Sequence, residues 1–433
     1  MTTDSYILFT AIINGLYLSW LLSHRQYRLV LPSVMTCFTW FVATILMYGE
    51  LKGLIIEFPL SAFRYERVAP FIFGMNLSAI VCFVVTHSLV EHHLPPQPSQ
   101  VCPQDTLGMC NELLYRFKWV LWVCVGVGVT LVVFFLTLGI DITSFSDYRI
   151  MAVTVEKVGI AALAKRIGGH IGIIGGFYLM ILGYKQAQTE LDIRELLKCI
   201  LMYSAVNLSI GGRVWLLAST LPYVTGYMFG KSQPIVERSQ ELFEQSKANM
   251  KKLGMVLVVW VSLFSILGNL RSDESYQKGF FEKFLYYTDG AKVSNIVLSM
   301  YPDGSYPLEY GQASIFNSIS PSNMTTKFKD AIKDDIGLSV TVRSCIPALY
   351  YDFGFWGGMI MWGVLCGILE LICLRIQFKG TLFSILWFCT LADLPFQSPI
   401  APPFLLAFPA FEWLLLLWLL RKYIFVNYNP KVV

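Results

Sequence analysis

The chain has 433 residues, 55% of them hydrophobic and 15% aromatic, with only 14% charged and a mean hydropathy of +0.57. A soluble domain cannot bury that much apolar surface, so the composition excludes one and indicates a polytopic membrane protein. The net charge of +4 is small and implies no nucleic-acid partner.

The first apolar segment starts near Tyr6 and runs past Trp20 with no small-residue cleavage site, so it reads as a span rather than a cleavable leader. With roughly 20 apolar residues needed per span, about eleven segments qualify. They are 6–23, 29–50, 67–90, 117–140, 169–186, 195–211, 214–230, 253–270, 352–374, 381–395 and 402–420. The sixth, seventh and tenth are short or interrupted. No internal repeat is visible. The expected class is an all-α polytopic integral membrane protein, one transmembrane domain over 1–433.

Basic residues set the expected orientation. One set of connections holds Arg25, Arg28, Arg116, Lys118, Lys185, Arg194, Lys198, Lys231, Arg238, Lys247, Lys251, Lys252, Arg375, Lys379, Arg421, Lys422 and Lys431. The other set, leaving aside 271–345, holds fewer, among them Lys52, Arg64 and Arg67. The first set is expected in the cytoplasm, which puts the N-terminus outside and the C-terminus inside.

Two outer segments are long. Residues 141–168 read as an amphipathic helix, since "YRIMAVTVEKVGIAALAKRIGG" has apolar residues at helical spacing and ends in glycines. Residues 271–351 start helical ("DESYQKGFFEKFLYYTDG") and turn loop-like through "YPDGSYPLEYGQ". On the inner side, 234–252 reads as a solvated helix with pairs such as Arg238–Glu241 and Glu244–Lys247.

Cys37, Cys82, Cys124, Cys199, Cys366, Cys373 and Cys389 fall in spans, where thiols pack as small apolar groups. Cys102 and Cys110 fall in a connection expected in the cytoplasm, so they should be reduced thiols. With His92 and His93 they match no standard zinc spacing. Cys345 is the one cysteine expected at the outer surface, so no disulfide framework is expected there.

An arginine at the edge of a membrane domain marks a functional site because its charge is costly there. Arg213 sits in a turn behind Gly211 and Gly212, where a ligand can approach the backbone closely. Arg149, Arg166, Arg343 and His170 belong to the same outer face. Guanidinium groups converging there suit a diphosphate, whose oxygens they pair in bidentate fashion. The competing account is that each arginine reaches lipid headgroups or pairs with a local acid such as Asp147 or Glu156. Tyr287, Tyr301 and Tyr310 in the large outer segment suit sugar rings, which have apolar faces and polar edges. Phe280, Phe281 and Phe284 read as interface anchors. Asp352, at the start of the ninth span, is either a general base on an acceptor hydroxyl or a helix cap. No D-x-D, P-loop, G-x-S-x-G or H-E-x-x-H occurs, so metal-dependent nucleotide-sugar transfer, ATP-driven transport and serine or zinc hydrolysis lack their usual support.

Three stretches, "NLSIGGRVWLL", "FLYYTDGAKVSNIVLSMYPDG" and "ALYYDFGFWGGMIMWGVLCGILE", resemble in order and spacing the oligosaccharide repeat-unit polymerases of bacterial surface polysaccharides, the Wzy-type O-antigen polymerases. The resemblance covers roughly residues 140–375 by motif and the whole chain by hydropathy. It implies a GT-C-like glycosyltransferase architecture in the bacterial inner membrane with the active site facing the periplasm. The implied reaction moves a growing glycan from undecaprenyl diphosphate to the non-reducing end of a new lipid-linked repeat unit. Arg213 and Arg149 would stabilise the leaving diphosphate, with Arg343 placed only by its position before "DFG". Asp352 would act on the acceptor. Arg166, His170, Tyr287, Tyr301 and Tyr310 would bind substrate. No cofactor is implied; the partners are lipid-linked oligosaccharide, membrane lipids, and chain-length-regulator and flippase proteins. Two other readings stay open: a lipid-linked glycan ligase, which needs the same arginines, and a flippase, for which two pseudo-symmetric halves would be expected.

If arginines alone stabilise the departing diphosphate, purified enzyme turns over in excess chelator. Loss of activity on chelation, restored by magnesium or manganese, would refute the arginine-only account.

Overall fold

The computed structural model describes residues 2–24, 31–54, 65–93, 103–139, 159–189, 191–209, 220–232, 258, 262, 286–300, 344–376, 381–395, 398–399 and 403–424. Eleven helices and no strand occur among these residues: α1 (Thr3–His24), α2 (Pro32–Leu51), α3 (Val68–His93), α4 (Pro103–Thr137), α5 (Gly159–Gln188), α6 (Ile193–Ser209), α7 (Leu221–Ser232), α8 (Tyr286–Met300), α9 (Cys345–Ile376), α10 (Leu382–Asp393) and α11 (Pro403–Ile424).

Six are long and apolar enough to cross a membrane: Thr3–Ser23, Pro32–Leu51, Val68–Val90, Thr106–Thr137, Ile167–Gln188 and Cys345–Ile376. They coincide with six of the expected spans, and large apolar side chains on them, such as Leu16, Val81, Trp122 and Ile360, are exposed. Water would not tolerate such helices exposed in that way, so the chain is a multi-pass membrane protein. The expected spans 195–211, 214–230 and 381–395 correspond to α6, α7 and α10, described over 17, 12 and 12 residues. The span 402–420 corresponds to α11. Of 253–270, only residues 258 and 262 are described. Of the expected outer segment 141–168, residues 159–168 form the start of α5 and 141–158 lie outside the described residues, as does the expected helix 234–252.

The chain divides into two units. The first comprises residues 1–97, 280–376 and 390–408, and the second 98–279, 377–389 and 409–433.

In the first unit α3 and α9 pack closely through small residues. A Cβ at Gly363 would lie 2.1 Å from Ser78 Oγ and 2.7 Å from the Ser78 carbonyl. Gly74 meets Met359 and Gly367 meets Cys82 in the same interface. Such contacts drive helix association in lipid, where apolar side chains gain nothing from leaving water. α1 packs on α2 and α3, joined by Asn14 Nδ2 donating to Asn76 Oδ1 at 3.0 Å. α2 starts with Pro32, whose missing N–H costs nothing at a first helical position. It ends in a Schellman motif: Gly53, at φ 66°, donates to the Glu50 carbonyl and Leu54 to the Gly49 carbonyl. Lys52, just past that end, pairs with Asp4 of α1, and the hydrogen bond and charge of Asp4 raise its pKa. The Thr3 end of α1 and the Leu51 end of α2 therefore lie together, as the basic-residue pattern requires.

In the second unit α5 packs on α4, α6 and α7. Asp192 caps α6, its Oδ1 accepting from Arg194 N–H at 2.9 Å and Glu195 N–H at 3.1 Å. Tyr223 of α7 donates to Gln186 of α5 at 2.8 Å.

Two cysteines differ from expectation. Cys110 lies not in a connection but inside α4, fully buried, because α4 begins well before the expected span. Cys345 is buried at the start of α9, its N–H donating to the Ser398 carbonyl at 2.8 Å, so it is not a surface thiol. Cys102 lies outside the described residues. No group of three His, Cys, Asp or Glu able to hold a metal occurs among the described residues.

α5 and α7 touch backbone to backbone: a Cβ at Gly183 would lie 2.3 Å from the Tyr223 carbonyl oxygen, and one at Gly226 2.0 Å from that of Met180. Neither carbonyl can move without its helix. Gly226→Ala is therefore expected to cost about 1–3 kcal/mol, read as a lower melting temperature of the purified protein in detergent. An unchanged melting temperature would contradict this contact.

Candidate functional site

Among the described residues, the first unit holds two buried clusters of ionisable side chains, one at each end of α2. Ser33 and Glu50 are 17 residues apart on that helix, about 26 Å at the α-helical rise.

At the Glu50 end, the Glu50 carboxylate accepts from Tyr65 OH at 2.5 Å and pairs with Lys292 of α8. Lys292 and Glu50 are 4% and 5% exposed. A carboxylate in the last turn of a helix meets the negative end of the macrodipole, so Glu50 is unfavourable there without a cation. Lys292 supplies it. One turn along α8, Asn295 Oδ1 accepts from Arg67 N–H at 2.8 Å and Val68 N–H at 3.0 Å, satisfying donors at the start of α3 that its own helix leaves unpaired. Ser294 Oγ and Ser344 Oγ lie 2.8 Å apart, joining α8 to the residue before α9.

At the Ser33 end, Leu31 offers α2 no side-chain cap. Glu370 of α9 replaces it: Oε2 accepts from Ser33 N–H at 2.9 Å and Oε1 from Ser33 OH at 2.8 Å. His87 Nε2 of α3 lies 2.5 Å from the same Oε1. His87 and Glu370 are 2% and 0% exposed.

Of the residues singled out from sequence, Asp352 lies in the first unit. It is fully buried in α9, two residues before Gly354, where φ 70° and ψ −173° break the helix. A general base must reach its proton within hydrogen-bond distance. Burial is common to a base in a closed site and to a structural carboxylate, so both readings of Asp352 stand. Tyr287 lies in α8 and Arg166 in α5. His170, also in α5, is exposed, and its Nδ1 accepts from Trp413 Nε1 at 3.3 Å. Arg149, Arg213, Arg343, Tyr301 and Tyr310 lie outside the described residues.

Sequence reasoning missed Glu50, Tyr65, Lys292, His87 and Glu370. A signal was available for three of them: Glu50, His87 and Glu370 are lone ionisable residues at or near the ends of apolar runs. Lys292 had none, being one basic residue in a polar segment.

Comparison with family models, curated proteins and solved structures gave no match.

Removing one partner of a buried hydrogen bond leaves the other unsatisfied, at about 1–3 kcal/mol. His87→Leu is expected to destabilise the protein by that order, seen as a fall in melting temperature, with insertion judged separately by membrane fractionation. A melt like that of the parent would mean that Ser33 alone satisfies Glu370.

Proposed function

We propose that this protein is a polymerase of lipid-linked oligosaccharide repeat units. It transfers a growing glycan from a polyprenyl diphosphate to the non-reducing end of the next lipid-linked unit, at the periplasmic face of a bacterial inner membrane. The observation that carries the reading is the meeting of two of its motifs. The tyrosine-glycine stretch runs through α8 and the "DFG" stretch through α9; α8 contacts α9, and Ser294 meets Ser344, four residues before the "DFG" stretch begins. They meet at the end of the first unit that the basic-residue pattern assigns to the outside.

The chemistry asks for charge stabilisation rather than a metal. The bond from the anomeric carbon to the diphosphate oxygen breaks as the acceptor hydroxyl forms the new glycosidic bond and passes its proton to a carboxylate base, the role of Asp352. Negative charge grows on the departing diphosphate, and arginines bind it in bidentate fashion. Arg213 and Arg149 take that role, with Arg343 and Arg166 as further anion contacts. His170, Tyr287, Tyr301 and Tyr310 bind the glycan. A ligase would use the same arginines on a different acceptor; a flippase would carry the lipid-linked unit without breaking this bond.

Deletion of the gene separates the three. On a gel of surface polysaccharide, loss of a polymerase leaves single-repeat material, loss of a ligase leaves none on the lipid core, and loss of a flippase leaves lipid-linked units inside. In the deletion strain, Arg213→Ala at matched membrane expression is expected to lower the rate roughly a hundred- to thousand-fold and so abolish long polymer. Arg213→Lys rescues poorly, because lysine keeps the charge and loses the planar fork. Near-normal polymer with alanine would exclude the role, and full rescue by lysine would reduce Arg213 to a non-specific charge.

A further inference from the structure

We infer that Lys292 and Glu50 are positioning residues for this reaction: their buried pair fixes the rotation of α8 and so aims the tyrosine-glycine segment at the reacting site. The inference rests on the polymerase reading for the reaction, and on the geometry of α8 for the mechanism.

α8 is tied down in several directions. Residues 291–295, 297 and 298 are buried, so the helix belongs to the packed body of the first unit. Lys292 and Asn295, three residues apart, lie on one face. They engage Glu50 at the end of α2 and the Arg67 and Val68 amides at the start of α3. Ser294 reaches Ser344 on another side. Gly290 lies against the Pro399 carbonyl, where an added Cβ would come within 2.3 Å.

Much of this buried face is apolar or small: Ala291, Val293, Val297 and Leu298. Such a face packs almost as well after a small rotation, so apolar contacts define the register of α8 poorly. The ionic and amide contacts do not share that tolerance. One residue of register turns the helix by about 100°. Glu50 would then stay buried at the unfavourable end of α2 without a cation, and two amides of α3 would lose their acceptor. A buried pair contributes little net stability over an apolar replacement, because desolvation offsets the attraction. Its contribution here is a single setting of α8.

This separates positioning from stability. Glu50→Gln/Lys292→Met removes both charges together, leaves no uncompensated ion, and keeps an amide oxygen to accept from Tyr65. Three measurements compare it with the parent: melting temperature of the purified protein, amide hydrogen exchange of α8 against α3, and polymer length in the deletion strain at matched expression. The expected result is an unchanged melting temperature, exchange faster by at least about tenfold in α8 and at the Arg67 and Val68 amides it holds, with the rest of α3 unchanged, and polymer shortened to a few repeats. Normal polymer would overturn the inference. So would lost polymer with unchanged α8 exchange, which would mean that the pair acts other than through α8. A double variant that melts early would show a stabilising pair only, and would overturn it too. The exchange measurement is made on purified protein and assumes no reaction. A deletion strain that does not accumulate single repeats therefore defeats the polymerase reading, while α8 exchange still judges the pair.

Discussion

The first unit depends on how the two ends of α2 are satisfied. A helix end buried away from water cannot leave its terminal amides and carbonyls unpaired, and both Ser33 and Glu50 of α2 are buried. α2 has no side-chain cap of its own at Leu31, and the carboxylate of Glu50 stands in its last turn. Both needs are met from elsewhere in the chain. Glu370 places a carboxylate at the positive end of α2, and Lys292 places a cation at the negative end. The two partners come from α9 and α8, far along the sequence. The macrodipole of one early helix thus helps to organise the four helices α2, α3, α8 and α9.

These charges are affordable because the apolar frame around them is tight. α3 and α9 approach through Gly363, Gly367 and Gly74, which leaves no room for lipid or water between them. The approach brings His87 and Glu370 into contact near one end of the interface, while Phe71 of α3 meets Tyr350 and Phe355 of α9 near the other. Packing sets the distance between these helices, and the polar contacts set how they stand along their axes. In the second unit, where α5 and α7 touch through Gly183 and Gly226, packing again sets the distance and Tyr223–Gln186 the alignment.

The membrane class and six of the spans were legible because each rests on a long run of one property, and such a run survives ignorance of its neighbours. Polar residues inside the fold carry no such run. Glu50 looks like the last residue before a turn, and its value depends on Lys292, 242 positions later. Glu370 looks like the solvated end of a span, yet it caps a helix 337 positions earlier. Cys110 was misplaced because "QDTLGMCNELLYRFK" is polar enough to resemble a connection, whereas α4 simply continues through it with its thiol turned inward.

The "DFG" stretch gains a physical meaning from the backbone. At φ 70° and ψ −173°, position 354 is in a region that is essentially closed to residues with a Cβ. α9 is therefore two helical pieces, residues 345–353 and 355–376, whose mutual angle is set at one glycine. The longer piece is committed to α3 through Gly358, Gly363 and Gly367. The shorter is held at its start by the Ser398 carbonyl on the Cys345 amide, and beside it Ser344 meets Ser294 of α8. Without the break, the first piece would continue along the axis of the second, and Ser344 could not keep its contact with α8 while the glycine face stayed against α3. Aspartate and phenylalanine at 352 and 353 complete the end of the short piece; the glycine lets it point at α8. The motif is thus a hinge fixed at one setting, and the setting is what lets α9 meet both α3 and α8.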